Sequence, residues 1–404
     1  MNGRMPVLFI FVTAALNAIG IGLILPVMPD LIMEVRGADI SNAAIWGGVL
    51  SSIFAVMQFG FSPMVGSLSD RFGRRPVLLI SNGVMALDYL VMALAGTIWL
   101  LVLGRIIGGI TSATHSTASA FMADISTRAD KAKNFGLIGA AFGVGFVIGP
   151  AIGGFLGEYG PRAPFYAAAI LAALNFAFGY FVLPETVTDE TRRPFQLSRA
   201  NPFSAFKYIA ALPGLTALMV VYFFYQIANM VYPAVWAYYT QANFGWSPQL
   251  VGISLAIYGI SIAFTQIVLI RWVIKKFGEQ RVVWWGLAYN GFTLSIMGVI
   301  SSGWVLLLLT PLAAFGAVVA PALQAIMSGQ AADNQQGELQ GVLASINSIG
   351  MIATPIVMTQ VFAYFTNPDT SVFLPGAPFL LAMGIMLLGW VVFASTRPSN
   401  ENAP

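Results

Sequence analysis

Runs of about twenty apolar residues return twelve times along this chain, and each is long enough to cross the roughly 30 Å hydrocarbon core of a bilayer as a helix. They fall near residues 6–28, 43–66, 76–95, 98–122, 135–157, 165–183, 212–236, 250–271, 282–301, 304–327, 340–363 and 377–395. Only 9% of the 404 residues are charged and 58% are hydrophobic, whereas soluble domains are about a quarter charged. The expected fold class is therefore all-α integral membrane. The first run contains Asn17 and Pro26, has Pro29 at its end and is followed by others, so it reads as the first span rather than a removable leader.

Basic residues set the orientation. If the N-terminus is cytoplasmic, then all but Arg36, Arg105 and Arg162 of the nineteen Lys and Arg residues lie in cytoplasmic segments, which by the positive-inside rule places both termini in the cytoplasm. Trp46, Trp99, Trp236, Trp246, Trp272, Trp284, Trp285 and Trp304 fall near span ends, as an interfacial aromatic belt does. The basic charge is thus topological, and no nucleic-acid partner is expected. The chain has no cysteine and one histidine, so thiolate chemistry is excluded, and no metal site, cofactor or enzymatic activity is expected. No G-x-x-x-x-G-K-[ST] phosphate loop occurs. Energy for any transport has to come from a gradient.

The longest polar stretch, PETVTDETRRPFQLSRANPFSAFK from Pro184 to Lys207, separates two sets of six runs. The expected domains are an N-terminal bundle over 1–183, a cytoplasmic linker over 184–211 and a C-terminal bundle over 212–404. An internal repeat supports this division. DRFGRRPV at 70–77 matches KKFGEQRV at 275–282, NFG at 134–136 falls on LQG at 339–341, and Gly145 and Pro150 fall on Gly350 and Pro355, all at an offset of 205. Two similarly oriented six-helix halves are what a rocker-type secondary transporter needs, with its substrate near the midplane. A non-transporting membrane sensor or receptor is the alternative from another class.

Several residues stand out on chemical grounds. GSLSDRFGRRP, Gly66 to Pro76, joins spans 2 and 3. Gly73 permits a tight turn, and Asp70 can cap the following backbone or pair with Arg71 or Arg74 in a contact that breaks when the conformation changes, which would make a gate; the other reading is a solvated loop that merely obeys the positive-inside rule. GVGFVIGPAIGG, ending at Gly154, places Gly145, Gly149, Gly153 and Gly154 on a small face that admits a neighbouring helix, and Pro150 removes a helix hydrogen bond. Asp88 lies roughly 17 Å into the third span at 1.5 Å per residue, on one helical face with Ser81, Met85 and Met92. An acid at that depth costs several kcal/mol when ionised and is a functional candidate; the other reading is a structural acid paired to a neighbouring helix. Arg105 is a permanent charge that can act on a nearby carboxylate. His115 can titrate near neutrality or hydrogen-bond locally as a packing residue. Among the intramembrane amides and aromatics, Asn17, Gln58, Gln226, Tyr258, Tyr289, Asn290 and Gln324 are candidate substrate contacts. Asn175, Gln266, Asn347 and Gln360 complete the set of amides, which can equally glue helices together.

These motifs, with LNAIGIGLILPVMP at 16–29, LDYLVMAL at 87–94, the GR-x-x-x-GIT-x-AT stretch at 104–114, FGWS at 244–247 and PALQAIMS at 321–328, resemble the tetracycline/proton antiporters of Gram-negative bacteria, members of the major facilitator superfamily. The resemblance runs nearly end to end. It implies a twelve-helix inner-membrane exporter, acting as a monomer, that moves a tetracycline-like or other amphipathic organic compound outward in exchange for protons, with any divalent cation arriving with the substrate. It marks Arg105 as the motif arginine, Asp88 as the third-span acid and Gln58 as the second-span glutamine. Three positions depart from the family pattern: its first-span and ninth-span aspartates are here Asn17 and Asn290, and its eighth-span histidine falls on Ile262. Asp88, Arg105 and His115 are then the expected coupling groups. A proton-independent facilitator or importer is the alternative that these losses raise.

Overall fold

The computed structural model describes residues 4–112, 115–127, 130–190, 192, 212 and 214–396. Twelve helices among them are long and apolar enough to cross a membrane: spans 1 to 6 are Met5–Ile24, Ile40–Phe72, Arg74–Ala93, Ile98–Ile125, Lys133–Gly157 and Ala163–Val182, and spans 7 to 12 are Thr216–Phe244, Pro248–Phe277, Glu279–Val299, Gly303–Gln330, Gln336–Thr366 and Ala377–Ser395. A short helix, Met28–Arg36, follows span 1. The expected linker over 184–211 lies largely outside the described residues.

The spans outrun the apolar windows expected from sequence, and the clearest case corrects the reading of the second and third. Residues 66–72, expected as a joining loop, continue span 2 as helix. Asp70 and Arg74 pair one turn apart, and the chain breaks only at Gly73, whose φ of 109° an L-residue rarely adopts. Gly278, 205 residues later, has φ 77° and ψ 158° against ψ 149° at Gly73, and each glycine precedes the first residue of a span. The repeat read in the sequence is therefore a repeat of backbone geometry.

Among the described residues, three spans depart from regular helix, each beside a residue that disturbs the hydrogen-bond ladder. Span 7 divides into Thr216–Asn229 and Val231–Phe244. Pro233 has no N–H for the carbonyl four residues back, and Asn229 Nδ2 donates to Tyr225 O at 2.9 Å. Span 8 widens to a π segment at Thr265–Leu269, where Thr265 Oγ1 donates to Ser261 O at 2.8 Å. Span 10 tightens to a 3-10 segment at Ala314–Val318, three residues beyond Pro311.

The chain forms two compact units. Unit 1 is Met1–Pro202 with Gly245–Gly259, and unit 2 is Phe203–Phe244 with Ile260–Pro404. One core of unit 1 gathers Phe9, Ile10, Leu78, Leu79, Phe121, Met122 and Ile138 from spans 1, 3, 4 and 5. Thr13 and Asn175, both buried, hydrogen-bond between spans 1 and 6 at 3.1 Å, so Asn175 serves as helix glue. In unit 2 an aromatic cluster of Tyr232, Trp236, Tyr239 and Phe379 joins spans 7 and 12, and Tyr239 OH donates to Met297 O of span 9 at 2.6 Å. Large apolar side chains such as Ile80, Leu87, Phe181, Leu308 and Val391 point outward. Exposure of so many large apolar side chains belongs to a lipid-facing surface.

Candidate functional site

Span 3 is amphipathic in the membrane sense. Asn82, Met85, Asp88, Tyr89 and Met92 are buried, while Ile80, Leu87 and Leu94 on the other side are exposed. Asp88 retains only 4% of its surface. Space for its carboxylate comes from span 4: a methyl group added to Gly104 would stand 3.0 Å from Oδ1, and one added to Gly108 would stand 2.7 Å from Oδ2. Two glycines one turn apart thus make a notch into which the acid fits. Oδ1 of Asp88 accepts no hydrogen bond. Arg105 lies between these glycines in sequence, with its guanidinium 5.6 Å from the Phe54 ring centroid, and its charge acts on the Asp88 carboxylate. Span 2 closes the group from the other side, because Gly109 lies against the backbone of Phe54 and Gln58. His115 opens the second described part of span 4; its side chain lies outside the described residues.

At the N-terminal end of span 3 a charged group surrounds Arg74. Its guanidinium reaches Asp70 at 2.5 Å and Asp124 of span 4 at 3.3 Å, and it donates to Ser69 Oγ at 2.6 Å. A cavity lined by Gly66, Asp70, Arg74, Ser116, Asp124 and Thr186 opens beside them. Arg71, expected in the same gate, instead lies exposed with its guanidinium 5.1 Å from the Phe72 ring centroid, because the helix that continues through Asp70 turns residue 71 to the other side. Gly73 takes its turn against the carboxylate of Glu185.

The glycine row of span 5 faces span 1. Gly145 lies against Ala15 and Ala18, Gly149 against Ile19 and Gly22, and Gly153 against Leu23. Gly154 and Pro150 face the opening turns of span 8 that belong to unit 1, where Gly252 approaches the Pro150 carbonyl. Each of these glycines meets backbone atoms, so any side chain there would force the helices apart.

Unit 2 has an uncharged polar cluster. Gln226 Nε2 donates to Asn347 Oδ1, Asn347 Nδ2 donates to Tyr222 OH at 3.3 Å, and Gln324 Nε2 donates to the same hydroxyl at 3.1 Å. Spans 7, 10 and 11 thereby bring together two of the expected substrate residues, Gln226 and Gln324, with Tyr222 and Asn347. The other candidates lie elsewhere. Asn290 is 2% exposed and its Nδ2 donates to Gly286 O at 2.9 Å and Gly316 O at 3.1 Å; Tyr289 OH donates to Leu312 O at 2.8 Å. Both serve as struts between spans 9 and 10 in this conformation. Asn17, Gln58 and Tyr258 belong to unit 1, and Asn17 Oδ1 is buried without a hydrogen-bond partner. Sequence reading gave no role to Asp124 or Glu185, which lie 50 and 111 residues from Arg74; no periodicity reports a contact at such separations.

With this geometry in hand, the chain matches the family model described as Major Facilitator Superfamily over residues 10–235 and 218–404. It belongs to the major facilitator superfamily. Among its relatives, the class C tetracycline resistance protein of Escherichia coli is 40% identical over 363 residues, covering 90% of this chain and 91% of that protein. The class D tetracycline resistance protein of Salmonella ordonez is 37% identical, covering 95% and 96%. The crystal structure of the human organic anion transporter MFSD10 (TETRAN) superimposes with a TM-score of 0.67 at 26% identity, covering 97% of this chain and all of that one. This major facilitator is a multi-pass membrane transporter and not an enzyme.

Proposed function

We propose that this major facilitator exports tetracycline or a similar amphipathic organic compound across the bacterial inner membrane in exchange for protons, with both termini in the cytoplasm and a single chain as the working unit. The observation that carries the reading is Asp88: a carboxylate 4% exposed, set in a glycine notch, with one oxygen unpartnered. Such a group is costly as an anion in a membrane interior and much less so once protonated. Arg105 supplies the compensating charge while the acid is ionised, and a movement between spans 3 and 4 would change that compensation. Arg74, holding Asp70 and Asp124, stabilises one conformation and has to release at least one of them in another. Tyr222, Gln226, Gln324 and Asn347 offer donors and acceptors without charge, suited to the hydroxyl, amide and carbonyl groups of a polar aromatic drug. The names of the relatives support the substrate class.

The experiment is a proton-release assay in everted vesicles carrying a pH-sensitive dye, challenged with magnesium–tetracycline. Drug-evoked proton release that disappears in Asp88→Asn is the expected result. Drug movement without protons would replace this reading with a facilitator.

A further inference from the structure

Span 3, which carries Asp88, is gripped at both ends by charged side chains that flank one neighbour. Arg162 immediately precedes span 6, and Glu185 follows its last residue by three positions. At the C-terminal end of span 3, Arg162 Nη1 donates to Ala93 O at 2.7 Å and Nη2 to Ala95 O at 2.8 Å, while its Nε is held by Glu34 at 2.9 Å. At the N-terminal end, the Glu185 carboxylate accepts from the backbone N–H of Arg74 at 2.9 Å and of Arg75 at 3.3 Å. Arg75 in turn donates to Tyr180 O in the last turn of span 6 at 2.9 Å. A helix presents partial positive charge at its N-terminus and partial negative charge at its C-terminus. Glu185 and Arg162 therefore match both poles of span 3.

Spans 3 and 6 are each 20 residues long, so both grips can close at once on an antiparallel pair. Midway between them the Phe176 ring covers Gly83, where an added methyl carbon would stand 3.3 Å from Cδ2.

We propose that Arg162 and Glu185 are positioning residues that join spans 3 and 6 into one bar, so that Asp88 travels through the transport cycle at a fixed height on that bar. The effect on protons rests on the reading of Asp88 given above; the bar itself does not. Three separate nitrogens of the Arg162 fork meet two carbonyls and a carboxylate, a spread that the single nitrogen of a lysine does not reproduce.

Two measurements test this. The chain contains no cysteine, so Gly83→Cys with Phe176→Cys gives a single addressable pair, bridged by a short cleavable bis-methanethiosulfonate reagent and verified by mass. The bridged protein is expected to keep at least about half of its magnesium–tetracycline flux, less than a twofold change in rate. Flux that stops on bridging and returns on cleavage would show that the two helices move past each other and would overturn the bar. The second measurement is the number of protons released per tetracycline moved, a ratio that loss of folded protein does not alter. Arg162→Ala and Glu185→Gln should lower it at least about twofold with KM for tetracycline changed less than twofold. Wild-type ratios in both variants, beside an Asp88→Asn control that releases no protons, would sink the positioning role and leave Asp88 standing. Proton release that persists in Asp88→Asn would sink the assignment of Asp88 instead, leaving the bridging result to decide the bar.

Discussion

Spans 3 and 9 occupy equivalent places in the repeat, each beginning after a glycine of positive φ, and both bury a short polar side chain against glycine. In span 3 that side chain is Asp88, lodged against Gly104 and Gly108 with one oxygen unpartnered. In span 9 it is Asn290, lodged against Gly316 with its amide donating to two backbone carbonyls. The same packing device therefore leaves one half with an unsatisfied acid and the other with a satisfied amide. The braces differ in kind too. Span 3 is gripped by Arg162 and Glu185, whereas span 9 meets span 12 through Gly298 against Gly376 and through the Trp390 indole donating to Trp284 O at 3.1 Å. Among the described residues, the buried acid of the spans lies in unit 1 and the amide cluster around Tyr222 in unit 2.

If that division is correct, the two halves should fail differently. The largest effect belongs to Asp88→Asn, which should reduce drug-evoked proton release to the level of vesicles lacking the protein, while Asn290→Leu should leave the protons released per drug unchanged. Arg74→Ala strands Asp70 and Asp124 together, and with charge-assisted hydrogen bonds worth about 1.5–3 kcal/mol each should slow drug flux at least tenfold. Exposed Arg71→Ala should slow it less than about twofold, which the same flux assay would distinguish. Gln226→Ala and Asn347→Ala should each raise KM for tetracycline about three- to tenfold with little change in Vmax, the loss of one net hydrogen bond; an unchanged KM in both would remove the amide cluster from the substrate path. The smallest difference is the most discriminating one. Gly108→Ala and Gly316→Ala should each destabilise the protein by about 1–3 kcal/mol through overpacking, seen as comparable drops in thermal unfolding temperature, but only Gly108→Ala presses on Asp88 and should lower the protons moved per drug.

Much of this architecture was legible in the sequence because it rests on local signals. Twenty-residue apolar runs have few alternatives in a bilayer, and a repeat offset needs only residue matching. The close approach along Gly145, Gly149 and Gly153 follows from spacing. The helical course of residues 66–72 was missed because a polar, glycine-containing stretch reads as a loop, although an Asp70–Arg74 pair one turn apart stabilises helix. Windows of hydropathy also passed over the break before Pro233, which a single missing N–H produces inside an otherwise apolar run. The candidate amides divided according to partners that the sequence does not display. Gln226 and Gln324 meet around Tyr222 because three spans converge there, and Asn290 is consumed by Gly316, 26 residues away.

The saturation of Asn290 also sets what a substitution at that position would cost. Its Nδ2 is a donor facing two carbonyl oxygens. An ionised aspartate at this position would set an acceptor against acceptors, so Asn290→Asp would raise the energy of the span 9–span 10 junction before it could add a proton site. Any acid placed there would be tolerated only if Gly316 and its surroundings moved away from residue 290.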